Sequence, residues 1–210
     1  MVVTANITRE IISENQSFIG LLQYDKTSNV SADLAGLVEE VSIKEGKKVA
    51  KGDLLVQLDT EILEQEIALK KNEIKQAQIA IELAEKNVGR LKELLEKMGT
   101  SEKNYDDAFF AFQDAQLEKK SAELELEQLL IKKRKSGIAA PFEGVILAKN
   151  IEVGDWVQQG KQLVAIGSLE NIIVRVPVEE SILRFVNPGQ EIPVTINALN
   201  KELNGTILRI

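Results

Sequence analysis

The side chains able to do chemistry in this chain are few in kind. Histidine and cysteine are both absent, which removes imidazole bases, thiol nucleophiles, disulfides and Cys/His zinc sites together. Carboxylates remain, 33 Asp and Glu against 26 Lys and Arg, and a hydrolytic carboxylate pair is a catalytic device the composition still allows. Those carboxylates fall at solvated helix positions with no polar cluster around them, so no catalytic residue is expected. Only Met1 and Met98 could offer soft sulfur to a metal; neither a metal site nor a cofactor is expected. Recognition is the chemistry that is left. Arg90 and Leu94 stand one helical turn apart, a fork of donors beside an apolar knob. That pair suits contact with another helix.

Charge and composition narrow the partner. A net charge of −7 and 4% aromatic residues argue against nucleic acid, which is met by basic stripes and stacking platforms. No apolar run approaches the ~20 residues that cross a bilayer, and the opening Met1–Asn6 lacks the basic and apolar regions of a signal peptide.

The elements that must position Arg90 and Leu94 come in three textures. Residues 1–59 are rich in Val, Ile, Thr and Gly and read as short strands. Residues 60–136 hold 30 charged side chains, no Pro and only Gly89 and Gly99. From Gly137 the strand texture returns, with all four prolines (Pro141, Pro177, Pro188, Pro193).

The central block carries heptads. Ile67, Ile74, Ile81, Val88 and Leu95 recur at sevens, each followed three residues on by Lys70, Ala77, Ala84, Leu91 and Met98. A second series joins Tyr105, Phe112, Lys119, Leu126 and Lys133 to Ala108, Ala115, Ala122 and Leu129. These a/d seams predict two paired helices, with Lys119 and Lys133 weakening the second. Gly99 suits a left-handed C′ position and Thr100 or Ser101 the next N-cap, so the helices run antiparallel around a tip near 97–101. With Ile67 at a, Arg90 takes c and Leu94 g, both off the seam. Phe110 takes f, facing away from the partner helix, either covered by a neighbouring copy's hairpin or left as an ordinary surface aromatic. Gly89 reads first as a locally tolerated mid-helix glycine, with room for a close neighbour beside Arg90 as the alternative.

The flanking β segments repeat. Gly36-Leu37-Val38, Ile43, Gly46, Val49, Gly52 and Leu55–Leu58 match Gly144-Val145-Ile146, Ile151, Gly154, Val157, Gly160 and Leu163–Ile166 at a constant offset of 108. Shared glycines predict shared turns. Neither copy is long enough to bury a core alone, so the two face each other in a small sandwich.

Each copy resembles half of a biotinyl/lipoyl domain, G-x-V … V-x-x-G-D-x-V-x-x-G-x-x-L, the second opening on Ala140-Pro141-Phe142-Glu143-Gly144. A lipoyl domain split by a helical hairpin resembles the periplasmic membrane fusion (adaptor) proteins of tripartite efflux pumps, the HlyD-like and resistance-nodulation-division adaptor family. The fold class implied is α+β: mostly β, with a long inserted antiparallel coiled-coil hairpin, a split lipoyl-like β-sandwich and a partial β-barrel. The sandwich would take 30–59 and 137–168, the hairpin 60–136, and the barrel 1–29 and 169–210. Leu169–Glu180 resembles the strand leading into the barrel, Ser181–Val186 its short helix, and Glu191–Asn197 and Leu203–Ile210 two further strands; Phe18–Tyr24 would supply an earlier one. By this resemblance the chain breaks off inside the barrel and reads as a piece of a longer protein.

The resemblance also implies the site. Arg90, Leu94 and Ser101 reproduce the family's tip pattern R-x3-L-x6-S, which engages a TolC-like outer-membrane channel. It implies an inner-membrane transporter of resistance-nodulation-division or ABC type as the other partner, a ring of copies, six by the family, and a periplasmic location at the inner membrane. An adaptor of type I secretion is the alternative within the family. A lipoyl or biotinyl carrier is the alternative outside it, but Lys51 and Lys161 lie in half-motif loops, and the carrier hairpin is replaced by the helices.

Overall fold

The computed structural model describes residues 16–196 and 200–210; residues 1–15, and Asn197 at the end of one expected strand, lie outside the described residues. The chain divides into two units, one running from Asp25 to Asn171 and the other taking the residues on either side.

In the Asp25–Asn171 unit the strands are β2 (Thr27–Ser31), β3 (Gly36–Val41), β4 (Lys48–Val49), β5 (Leu54–Leu58), β6 (Gly137–Ala139), β7 (Gly144–Lys149), β8 (Trp156–Val157) and β9 (Gln162–Ser168). They form two four-stranded antiparallel sheets, ordered β2-β9-β7-β4 and β6-β5-β3-β8. The repeat is carried into the pairing. Gly36 faces Val157 and Gly144 faces Val49, while Val56 faces Ile138 and Val164 faces Val30. Each half lends its two-residue strand, β4 or β8, to the other half's sheet. Neither half is therefore a complete sheet without its partner.

The turns repeat too. Gly46, Gly52, Gly154 and Gly160 all have positive φ, between 78° and 90°, the conformation glycine adopts without steric cost. The Gly52 amide donates to the Ala140 carbonyl and the Gly160 amide to the Ala32 carbonyl, both at 2.8 Å. These contacts extend the internal repeat upstream of Gly36: Val30, Ala32 and Leu34 correspond to Ile138, Ala140 and Phe142.

The core between the sheets is built from repeat pairs: Val38 with Ile146, Val49 with Val157, Leu55 with Leu163, Val56 with Val164, Leu58 with Ile166, all at most 4% exposed. Each such side chain stabilises the fold by ~1.5–3 kcal/mol relative to exposure. No residue of the helical insert belongs to this cluster. The insert itself is α1 (Glu61–Glu96) and α2 (Glu102–Ser136), the long antiparallel hairpin in a mostly β chain that the sequence predicts.

The second unit has β1 (Leu21–Tyr24) antiparallel to β10 (Ile172–Arg175), a short helix α3 (Glu180–Leu183), and β11 (Glu191–Ile196) antiparallel to β12 (Lys201–Thr206). Gly20 is required by close approach, because a Cβ there would lie 2.4 Å from Val174 Cγ1.

Candidate docking site at the hairpin apex

The apex is held out on a rod. Thirty-six residues of α1 and 35 of α2 correspond to a length of ~50–55 Å at 1.5 Å per residue. The a and d residues from Ile67 to Leu95, and from Tyr105 to Leu129, are buried or half-buried, so the heptads do make the seam. The lysines within it set its register. Lys70 reaches Glu125 at 2.7 Å as well as Glu73 on its own helix, Lys119 donates to Gln78 at 2.8 Å, and Lys133 reaches Glu64 at 2.6 Å. Each ammonium crosses to the opposite helix, so a slip of one turn would strip three cations of their cross-helix partners; polar groups at seam positions specify register in this way. The carboxylates of Glu125 and Glu73 hold the Lys70 ammonium above the ordinary lysine pKa of 10.5.

At the apex α1 ends at Glu96 and Lys97 is its C-cap. The Met98 amide donates to the Leu95 carbonyl (2.9 Å) and the Gly99 amide to that of Leu94 (2.7 Å), the two bonds of a Schellman motif. The left-handed residue is Met98, with φ 56°, and not Gly99 as the sequence suggested. Gly99 takes the next position, where a Cβ would sit 3.4 Å from the Leu94 oxygen. Met98 has also left the seam expected of it and is 95% exposed, because the helix stops before the heptad is complete. Ser101, not Thr100, caps α2: its Oγ accepts from the Asn104 amide at 3.3 Å, while Asn104 Nδ2 donates to Thr100 Oγ1.

Arg90 is exposed on the outer side of α1, fewer than two turns before its end, and Leu94 is 40% exposed on the last turn. The space at Gly89, where a side chain would begin, is open. The structure thus sets Leu94 and Ser101 at the two mouths of one turn, with Arg90 one helical turn further down. Tyr105 stacks on Phe109 (6.3 Å between ring centroids), and Phe109 meets Phe110 edge-on. Phe110 itself is exposed. Sequence reasoning passed over two features: exposed Met98 at the summit, and the continuation of the Phe110 position along the outer face of α2. The second was readable, since Phe110, Leu117, Leu124 and Ile131 recur at sevens.

Elsewhere the chemistry is sparse. Lys51 and Lys161 sit in the turns before β5 and β9, away from the β5–β6 connection that the hairpin occupies. Among the described residues no three His, Cys, Asp or Glu cluster as a metal site would require, and no helix is long and apolar enough to cross a membrane.

Residues 26–168 match the family model described as CzcB-like, barrel-sandwich hybrid domain. The cobalt-zinc-cadmium resistance protein CzcB of Cupriavidus metallidurans is 26% identical over 188 residues, covering 87% of this chain and 35% of that protein; the chain spans about a third of this relative's length. Among solved structures, the membrane fusion protein Spr0693 of Streptococcus pneumoniae superposes with a TM-score of 0.60 at 19% identity, over 90% of this chain and 80% of that one. ZneB of Cupriavidus metallidurans does so with a TM-score of 0.57 at 22% identity, over 90% and 81%. At such identities these structures speak for the fold.

Proposed function

The chain belongs to the CzcB-like barrel-sandwich hybrid family, and on that premise we propose that it is the adaptor of a tripartite efflux pump in the periplasm, joining an inner-membrane transporter to a TolC-like outer-membrane channel. The observation that carries this is the rod. Two helices of ~50 Å project from a sandwich whose core takes nothing from them, and they end on exposed Arg90, Leu94 and Met98. A structure of that kind is a reach device.

In this reading the tip meets the helical end of the channel. Arg90 offers its planar fork to carbonyls or carboxylates there, Leu94 fills a groove between channel helices, and Ser101 holds the start of α2 so that the turn keeps its shape. The strands outside the sandwich, β1 and β10 to β12, supply part of a β-barrel that, with the sandwich, stacks copies into a ring of six. The hairpins then line a sealed conduit. The adaptor performs no reaction; it positions and seals. The transporter, of resistance-nodulation-division or ABC type, meets parts of the full-length protein beyond this chain.

The test is Arg90→Glu in cells whose export depends on the full-length protein. Export should be lost while the amount of protein and its helical content stay unchanged. Normal export by that variant would remove the tip from the mechanism.

A further inference from the structure

Met98 is a residue the fold would do better without. It holds the left-handed position after α1 with φ 56°, where a side chain costs stability and glycine does not. Nothing inside the chain repays that cost. The helix has ended at Glu96, and the Met98 side chain is 95% exposed. Its amide does the structural task, donating to the Leu95 carbonyl at 2.9 Å, and any residue but proline has that amide. Strained positions of this kind persist where the side chain serves a function.

What the side chain offers is a flexible, apolar thioether at the far end of a charged rod. Around it Lys92, Glu93, Glu96, Lys97, Glu102 and Lys103 are all exposed. Leu94 is the other exposed apolar side chain between residues 92 and 104. A Cβ on Gly99 would begin 3.5 Å from Leu94 Cδ2, so the glycine leaves Leu94 uncovered beside the turn. Methionine is enriched in protein interfaces, and its rotatable bonds let it fill an irregular pocket. Leu94 and Met98 are thus the apolar pair that the apex presents to a partner.

Sulfur brings a second property. The chain has no cysteine and one other methionine, Met1, so Met98 carries the only sulfur among the described residues. We propose that Met98 is a reversible oxidation site that switches docking off: hypochlorous acid converts its thioether to the sulfoxide, and an apex carrying the sulfoxide no longer seats in an apolar pocket. This rests on the reading above that the apex docks on a partner.

The chemistry balances. A sulfur lone pair takes chlorine from hypochlorous acid and releases hydroxide; water then displaces chloride from sulfur, and loss of two protons leaves the S=O group. Sulfur gives up two electrons and chlorine accepts them, with chloride and one net proton as the products beside the sulfoxide. A methionine sulfoxide reductase reverses the change with two thiols, which end as a disulfide while the oxygen leaves as water. The sulfoxide is polar where the thioether was apolar, and burying its oxygen without a donor should weaken docking on the order of tenfold. The turn itself depends on the backbone, so the fold is untouched. A seated Met98 is covered, so the switch acts on adaptor that has not yet docked.

The test expresses the full-length protein in its own host, deleted for the native copy, with hypochlorous acid present during induction. Export per amount of adaptor is compared with that of untreated cells of the same strain. Peptide mass mapping should find one added oxygen on Met98. The treated-to-untreated ratio should be about tenfold lower in the parent than in Met98→Leu, which keeps an apolar side chain without sulfur. Met98→Gln, uncharged and polar like the sulfoxide, should export about tenfold less than the parent without any oxidant, while its circular dichroism and melting stay as in the parent. Equal ratios in the parent and Met98→Leu, an unoxidised Met98, or untreated export by Met98→Gln equal to the parent's would each overturn the proposal. The two readings fail separately. Normal export by Arg90→Glu sinks the tip assignment, whereas export lost in Arg90→Glu together with equal ratios in the parent and Met98→Leu sinks the oxidation switch alone.

Discussion

Gly36 and Gly144 occupy equivalent places in the two copies of the repeat, yet they should respond in opposite ways to alanine. A Cβ on Gly144 would lie 2.3 Å from the Gly167 carbonyl oxygen and 2.8 Å from Ile166 Cγ2. The first of these is backbone, so β7 and β9 must move apart. A Cβ on Gly36 would meet nothing closer than Leu58 Cδ1 at 3.5 Å, an ordinary contact. The difference has a physical origin. β9 continues to Ser168, which faces Gly144, whereas β5 ends at Leu58 and the counterpart of Ser168 is Thr60, where the chain has already turned into α1.

Overpacking of a filled site costs 1–3 kcal/mol, and with backbone as the obstacle Gly144→Ala should lie at about 3. Gly36→Ala buries a methyl against Leu58 and removes freedom from the unfolded chain, which is worth ~0.4–1 kcal/mol of stabilisation where the native backbone suits alanine. For a chain of this size ~1 kcal/mol moves Tm by about 2–4 °C, so Gly144→Ala should melt about 6–12 °C lower and Gly36→Ala no lower than the parent. Trp156, the only tryptophan, lies on β8 opposite Leu37 and reports the sandwich by fluorescence, while far-ultraviolet circular dichroism reports the helices. Losses within ~1 kcal/mol of each other at the two sites would refute the packing argument.

Two shorter predictions concern the hairpin. Met98→Gly should leave its stability unchanged or raise it by ~1 kcal/mol in urea unfolding followed by circular dichroism, because a left-handed L-residue costs ~1–2 kcal/mol and the exposed side chain has no packing to lose; a clear loss would show that Met98 is held by its surroundings. For Lys70 the raised ammonium pKa stabilises the fold most fully below 10.5, and that contribution fades as pH rises through the folded value. The margin of the parent over Lys70→Met in thermal melts should therefore be constant through neutral pH and shrink above about pH 10.5. A margin that instead grew in alkali would show that the two carboxylates do not act as described.

Which parts were legible in the sequence follows the range of the interactions that decide them. The seam could be read because a heptad is local: Ile67 and Ile74 need know only each other's spacing. The repeat could be read from Gly36 onward because glycines mark its turns. Upstream it was hidden, since Val30, Ala32 and Leu34 resemble Ile138, Ala140 and Phe142 only in being apolar, and it took the amide bonds at Gly52 and Gly160 to align them. The exchange of β4 and β8 between sheets was beyond reach, because two-residue strands have no period. Lys119 and Lys133 looked like flaws in a seam because their partners, Gln78 and Glu64, lie on the other helix at a level no single helix reveals. At the apex, Gly99 attracted the left-handed role by residue type, but the Schellman bonds to the Leu94 and Leu95 carbonyls place that role one residue earlier, at Met98.

The exchanged strands also explain how the sandwich tolerates so long an insertion, and this gives a last prediction. β5 and β6, the strands that flank the helices, are antiparallel neighbours, with Val56 facing Ile138 and Gln57 facing Gly137. Continued by one pair, Leu58 would face Ser136, the distance a two-residue hairpin turn spans. The core contains only residues from Ala32 to Leu58 and from Ile138 to Ile166, and β4 and β8 bind the two halves regardless of what joins them. Replacing residues 59–135 by Asn-Gly should therefore leave a folded sandwich. Helical circular dichroism should vanish while the cooperative Trp156 transition survives, its midpoint shifted by only the few kcal/mol that a different loop and the lost ends of α1 and α2 account for. If the proposed adaptor role holds, the full-length protein shortened in this way should no longer support export in cells. If the shortened chain were unfolded, with Trp156 fluorescence already that of the denatured state, the helices would be part of the fold's foundation and the rod would no longer count as a separable reach device.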